Sequence, residues 1–96
     1  MKYAAGKTVT VDRINYLMET AEYSIYTQFK KCTIVSAKLA NGFILTESSA
    51  CVDPKNYDMA LGIDLCKEKI RDKLWELEGY ALQDRLYRKE ESNEPR

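Results

Sequence analysis

Leu39-Ala40-Asn41-Gly42-Phe43-Ile44-Leu45-Thr46 is the stretch whose reading decides the fold. Asn-Gly between two apolar runs is the strongest short-range hairpin signal, because both residues tolerate positive φ. Upstream, Cys32-Thr33-Ile34-Val35 leads a run through Leu39 that suits a strand, and Phe43 to Thr46 forms the return. With Asn41 and Gly42 as the two loop residues, Leu39 faces Ile44, Ala37 faces Thr46 and Val35 faces Ser48. The opposite face then carries Ile34, Phe43 and Leu45 beside Ser36, Lys38 and Glu47. One face is clearly apolar and the other is mixed.

Further upstream, Tyr23, Ile25, Tyr26, Thr27 and Phe29 are strand formers until Lys30-Lys31 interrupts, so the sheet has two to three antiparallel strands. Before them, Val11, Ile14, Leu17, Met18 and Ala21 keep the i, i+3, i+4, i+7 spacing of an amphipathic helix. The pattern predicts a helix over 11–21, with Thr10 as N-cap and Asp12 in the first turn, where the helix dipole favours an anion. Downstream, Glu47 to Val52 reads as irregular or as a short strand. Asp53-Pro54 reads as a helix start, Asp as N-cap and Pro at the first helical position.

A long helix follows. Tyr57, Leu61, Leu65, Ile70, Leu74 and Leu77 form its apolar stripe, with Cys66 and Trp75 flanking, and Leu82, Leu86 and Tyr87 continue it. Gly62 and Gly79 each cost about 1 kcal/mol relative to Ala inside a helix. Their presence predicts close packing at one and a kink or break at the other. The fold class is therefore α+β: one small domain over residues 1–90 with a short N-terminal helix, an antiparallel sheet with an Asn-Gly hairpin, and a long C-terminal helix. Residues 91–96 read as a flexible polar tail.

Composition narrows the chemistry. Of 96 residues, 15 are Lys or Arg and 15 are Asp or Glu, and there is no histidine. A formal net charge of zero argues against a strongly basic nucleic-acid coat. Lack of histidine removes the commonest general base and the commonest metal ligand. Cys32, Cys51 and Cys66 are an odd set with no two-residue spacing, so neither a zinc knuckle nor a dithiol motif is written. Cys32 and Cys66 read as small buried apolar residues and Cys51 as the one open to solvent. No apolar run approaches the ~20 residues of a membrane helix, and the N-terminus has no signal-peptide pattern. The expectation is a cytoplasmic protein with no catalytic residues, no metal, no cofactor and no membrane partner.

Ser48, Ser49 and Cys51 could serve as nucleophiles, but nothing nearby in sequence activates them. Glu47, Ser48 and Ser49 have no packing role between strand and helix, and so are candidate binding residues. Trp75 and Tyr80 could stack on a ring, although helical spacing also suits a core or an oligomer interface.

The run Lys38-Leu39-Ala40-Asn41-Gly42-Phe43, then Glu47-Ser48-Ser49-Ala50-Cys51-Val52-Asp53-Pro54-Lys55-Asn56-Tyr57-Asp58, then Gly62, Cys66 and Leu74-Trp75-Glu76-Leu77-Glu78-Gly79-Tyr80-Ala81-Leu82 resembles a family of small tailed-phage proteins. The family is named after gene forty-nine and gene sixty-six of two phages. The likeness extends weakly to the N-terminal helix. Two serines precede Ala-Cys where the family tends to have one, and Glu76 follows Trp75 where a proline is frequent, which favours a continuous helix there. The family carries no assigned reaction or cofactor. The resemblance implies a phage or prophage origin and a setting in the cytoplasm of the infected cell.

Two readings of function follow. One is an accessory protein that binds without catalysis, either a host protein or a small nucleotide signal, in host takeover or counter-defence. The other is a nucleic-acid-binding module, because α-β-β-β-α is the order of double-stranded-RNA-binding domains. The second is weaker, since the long helix opens with no lysine cluster. Both helices are expected on one sheet face. Ile34, Phe43 and Leu45 are then left open on the other, and Tyr80, Leu82, Leu86 and Tyr87 project beyond the sheet. Both surfaces ask for a second copy, and a two-fold dimer is the simplest homo-oligomer.

Overall fold

The computed structural model describes residues 7–93, with side chains over 7–90. The order is α1 (Val11–Glu19), β1 (Glu22–Gln28), β2 (Cys32–Lys38), β3 (Ile44–Ala50), one 3₁₀ turn (Pro54–Asn56) and α2 (Met59–Asn93). This is the α+β class expected, with three strands in the antiparallel order β1-β2-β3. The projected tail over 91–96 lies outside the described side chains, and α2 itself runs to Asn93.

α1 begins as expected: the Thr10 hydroxyl accepts the Arg13 amide at 3.2 Å. It ends two residues earlier than the periodicity suggests. The Thr20 amide and hydroxyl both donate to the Tyr16 carbonyl, and the chain then turns into β1.

The register of the central hairpin differs by one from the two-residue-loop reading. Leu39 donates its amide to the Phe43 carbonyl at 2.8 Å, and Gly42 donates back to the Leu39 carbonyl at 2.8 Å. The loop is thus Ala40-Asn41-Gly42, with Gly42 at φ 95° in the left-handed region. Ala37 pairs with Leu45 and Val35 with Glu47. A one-residue slip exchanges the faces of a strand. Leu45 therefore packs against the core, and the expected open patch of Ile34, Phe43 and Leu45 does not form. The uncovered face instead carries rows such as Ser24–Ser36–Thr46 and Tyr26–Ile34–Ser48. Ser36 and Thr46 share a hydrogen bond of 2.8 Å.

Both helices lie on the other face, as expected. Ile14 and Leu17 of α1, Val35, Ala37 and Leu39 of the β2 hairpin, and Cys66, Ile70 and Leu74 of α2 form the core. Arg13 pairs with Glu78 at 3.0 Å, and Arg71 donates to the Asn15 side chain at 2.9 Å, so α1 is clamped onto α2.

The start of the long helix is later than Asp53-Pro54. Asp53 does cap, but it caps the 3₁₀ turn, accepting the Lys55 amide at 3.0 Å. Tyr57 is then extended, and its hydroxyl bonds to Thr33 at 2.6 Å and to Thr27 at 2.9 Å. These bonds strap the connector to the sheet and satisfy Thr33, the one buried polar residue among those described. Asp58 starts α2, accepting the Leu61 amide at 3.2 Å.

α2 contacts the sheet through Gly62, Cys66, Ile70 and Leu74, a row at i+4 spacing. Leu65, expected in that row, is 44 % exposed, and fully buried Cys66 takes its place. Gly62 is the close-packing glycine: an added Cβ would lie 2.8 Å from the Thr33 Cβ and nearer still to its hydroxyl oxygen. Gly79 has no neighbour within 4 Å, and the helix runs through it unbroken, so the expected break does not occur. Beyond the sheet, Leu82 is buried and Leu86 half-buried, whereas Tyr80 and Tyr87 are exposed.

Candidate functional site

Glu47 sits inside β3, not between strand and helix, because the strand continues to Ala50. Alternation along the strand sends Glu47 and Ser49 to the face under α2 and Ser48 to the open face. The three adjacent candidates are thereby separated. Glu47 enters a cleft of about 380 Å³ that it shares with Lys69, Asp72, Lys73 and Glu76 of α2. Ser49 lines a smaller cleft of about 90 Å³ under the connector, with Cys51, Asn56, Tyr57, Asp58 and Gly62 among its walls. Ser48 contributes its backbone: Lys69 donates to the Ser48 carbonyl at 2.7 Å.

That bond marks the free edge of the sheet. The bonds Leu39–Phe43 and Lys31–Cys51 bracket the β2–β3 ladder. Antiparallel alternation therefore turns the backbone groups of Ile44, Thr46, Ser48 and Ala50 outward. Lys69 reaches across this edge and covers one of those groups, a common protection of an unpaired strand.

On α2, Lys69, Lys73, Glu76, Tyr80 and Tyr87 succeed one another at spacings of four, three, four and seven residues, and so share one helix face. Tyr80, 73 % exposed, thus continues the wall of the Glu47 cleft past the end of the sheet. Trp75, 36 % exposed, precedes Tyr80 by five residues and points about 140° away around the helix. The structure unites Glu47 with the Tyr80 face and leaves Trp75, Ser48 and Ser49 elsewhere. Lys69 and Lys73, absent from the sequence reading, are the cationic part of the site. Their i, i+4 spacing, continued to Tyr80, was the signal that could have found them.

Chemically, this cleft offers paired positive and negative charge beside an aromatic ring. It contains no thiol or hydroxyl nucleophile among its lining residues. Cys66 lies buried behind it, its thiol donating to the Thr33 carbonyl at 3.6 Å. Burial first, then Glu47 and Cys32, push the Cys66 thiol above its ordinary range, against the pull of Lys69 and a backbone hydrogen bond. Such a thiol is held protonated and unreactive. Cys32, expected to be buried, is only half-buried on the open face, because the register there gives it no covering helix; Cys51 is half-buried too. Among the described residues, no cluster of three or more Cys, Asp or Glu is placed to hold a metal ion, and no helix is long and apolar enough to cross a membrane.

The chain thus folds as a small sheet under two helices, and the longer helix carries Leu74-Trp75-Glu76-Leu77-Glu78-Gly79-Tyr80. Residues 9–86 match the model of the phage protein (N4 Gp49/phage Sf6 gene 66) family, and the chain belongs to it. It is a bacteriophage protein. No curated protein and no solved structure matches the chain.

Proposed function

We propose that this phage accessory protein acts by binding, without catalysis, in the cytoplasm of the host cell, and that it does so as a homo-oligomer, most simply a two-fold dimer. The partner is a host protein or a small nucleotide signal, and the outcome is host takeover or counter-defence. One observation supports this reading above the others. Among the described residues, the α2 face of Lys69, Lys73 and Glu76 has a wall opposite it through Glu47. α2 spans roughly 50 Å at 1.5 Å per residue, about twice the length of a seven-residue strand. Past the sheet the same face goes on with Tyr80 exposed, and Tyr87 then lies with Lys7, Gln83, Leu86, Lys89 and Glu90 around a second cleft of about 380 Å³. A second copy set against Tyr80 extends the Glu47 wall most economically, and the groove so formed carries charge at one end and an aromatic ring at the other.

Light scattering at micromolar concentration tests the oligomer. A mass near twice 11.1 kDa is expected, and a mass that stays at 11.1 kDa as concentration rises overturns the inter-subunit groove. Calorimetry against a deproteinised host extract, with bound molecules identified after release, then tests the nucleotide. Lys69→Ala with Lys73→Ala should abolish any heat seen with the parent.

A duplex-RNA reading draws support from the element order and from both helices sharing one sheet face. It is weaker here because α2 opens with Asp58-Met59-Ala60-Leu61-Gly62, which holds no cation for phosphates.

A further inference from the structure

The turn between β1 and β2 contrasts with the Asn-Gly turn at the other end of β2. Phe29 and Lys30 both adopt left-handed backbone, at φ 55° and 61°, and Lys31 closes the turn by donating its amide to the Gln28 carbonyl at 3.2 Å. Two positive φ values are what a tight hairpin turn favours, but Asn and Gly are the residues that take them without strain. A bulky aromatic residue there is an outlier, and such strain persists where the side chain has a use. Phe29 has no packing use: it is 78 % exposed.

Beside it the connector leaves β3. Cys51 donates its amide to the Lys31 carbonyl at 3.0 Å, and the Lys31 ammonium donates to the Val52 carbonyl at 3.3 Å. Val52 is 92 % exposed. Lys55 follows in the 3₁₀ turn, with the Asp53 carboxylate set on its amide. The last cross-strand row, Gln28–Cys32–Ala50, places turn and connector at the same end of the sheet. The Tyr57 bonds to Thr27 and Thr33 hold that end in shape. The result is a fixed tip with one exposed ring, one exposed aliphatic side chain and three lysines, with the Asp53 carboxylate turned onto a backbone amide.

We propose that this tip, Phe29, Lys30, Lys31, Val52 and Lys55, binds single-stranded nucleic acid weakly, with a base stacked on Phe29 and phosphates held by the lysines. A ring flanked by ammonium groups matches the alternation of base and phosphate along a strand. An acidic peptide would answer the lysines but leave the ring face without a flat partner. A duplex hides its bases' faces, so it would use the lysines alone. The site is separate from the α2 cleft and stands whether or not the protein dimerises.

Anisotropy of a fluorescein-labelled 15-mer of oligo(dT), titrated with the full chain at several salt concentrations, tests it. The logarithm of the association constant should fall with the logarithm of salt at a slope near −2, about −0.7 for each of three lysine–phosphate contacts. Removing one of Lys30, Lys31 or Lys55 should flatten that slope by about 0.7. Phe29→Ala should weaken binding by about tenfold, as loss of one stacked base does, and Phe29→Trp should restore it. Phe29→Asn with Lys30→Gly should raise the Tm while losing the ring, which separates binding from folding. Lys38→Ala, which removes an exposed lysine at the opposite end of the sheet, should leave oligonucleotide binding unchanged. No binding at low salt, binding indifferent to Phe29, or tighter binding of polyglutamate or a 15-base-pair duplex overturns the proposal.

Discussion

From Gly62 to Leu74, α2 lies on the sheet and every fourth residue is buried; beyond Glu78 the same helix continues with Tyr80 and Tyr87 in solvent. The first half has its residues chosen by what they touch. Gly62 is there because Thr33 leaves no room for a Cβ, Cys66 because a small side chain fits beneath the hairpin, and Ile70 and Leu74 because the core needs volume. In the second half, Gly79 faces open space. Two glycines in one helix thus have different causes, one packing and one unrelated to any neighbour within the described residues. A helix that is tightly specified where it lies on the sheet takes its fold chiefly from that half, with Leu82 the buried residue of the other.

Leu74 gives the largest expected effect. It is 1 % exposed, and truncation to Ala should cost about 2–5 kcal/mol, a large share of the stability of so small a domain. Tyr80→Ala should change monomer stability by less than about 0.5 kcal/mol, since an exposed side chain away from caps and networks contributes little. Denaturant midpoints at low protein concentration measure both. Equal effects would dissolve the distinction between the halves.

The glycines sharpen it by sign. Gly62→Ala must push Thr33 aside and disturb its hydrogen bond to Tyr57, so it should destabilise by about 1–3 kcal/mol despite the better helix former. Gly79→Ala meets nothing and should stabilise by about 0.5–1 kcal/mol. Thermal melts of the two variants against the parent decide this, and a loss at Gly79 would show that its face is pressed against another chain.

Much of this division was written in the chain. Thr10 as a cap, the Asn-Gly hairpin, a long helix, and Ile70 and Leu74 in the core all follow from local chemistry. What failed did so for identifiable reasons. Ala40 joined the hairpin loop because Gly42 could close a three-residue turn, and that one residue moved Leu45 from the open face to the core. Asp53-Pro54 was a true start signal, but for a single turn: the Tyr57 hydroxyl, drawn to Thr27 and Thr33, pulled the chain out before Asp58 began the helix. Cys66 displaced Leu65 because the buried row is counted from Gly62, and glycine carries no hydrophobic signal. The candidate site was legible only in Glu47 and Tyr80. Lys69 and Lys73 look like ordinary solvated lysines until the β3 edge is placed beneath them.

The smallest expected effect concerns the thiol in the packed half. Cys66 is fully buried, and burial raises its pKa above the unfolded value near 9, so the native state holds this proton after the unfolded state has released it. Raised pKa in the folded state means stability that is complete below the unfolded pKa and is lost as pH rises through the folded one. The contribution of Cys66 should therefore be flat up to about pH 8 and then decline, with a limiting slope of about 1.4 kcal/mol per pH unit. Tyr23 reinforces the trend at higher pH, since burial raises its phenol as well, opposed by Arg71. Comparing urea midpoints of the parent and Cys66→Ala between pH 7 and 10 isolates the thiol: the difference between them should shift in favour of the alanine variant as pH rises. A difference that stays constant through pH 10 would mean that Cys66 reaches solvent, and that the half of α2 lying on the sheet opens more readily than its packing implies.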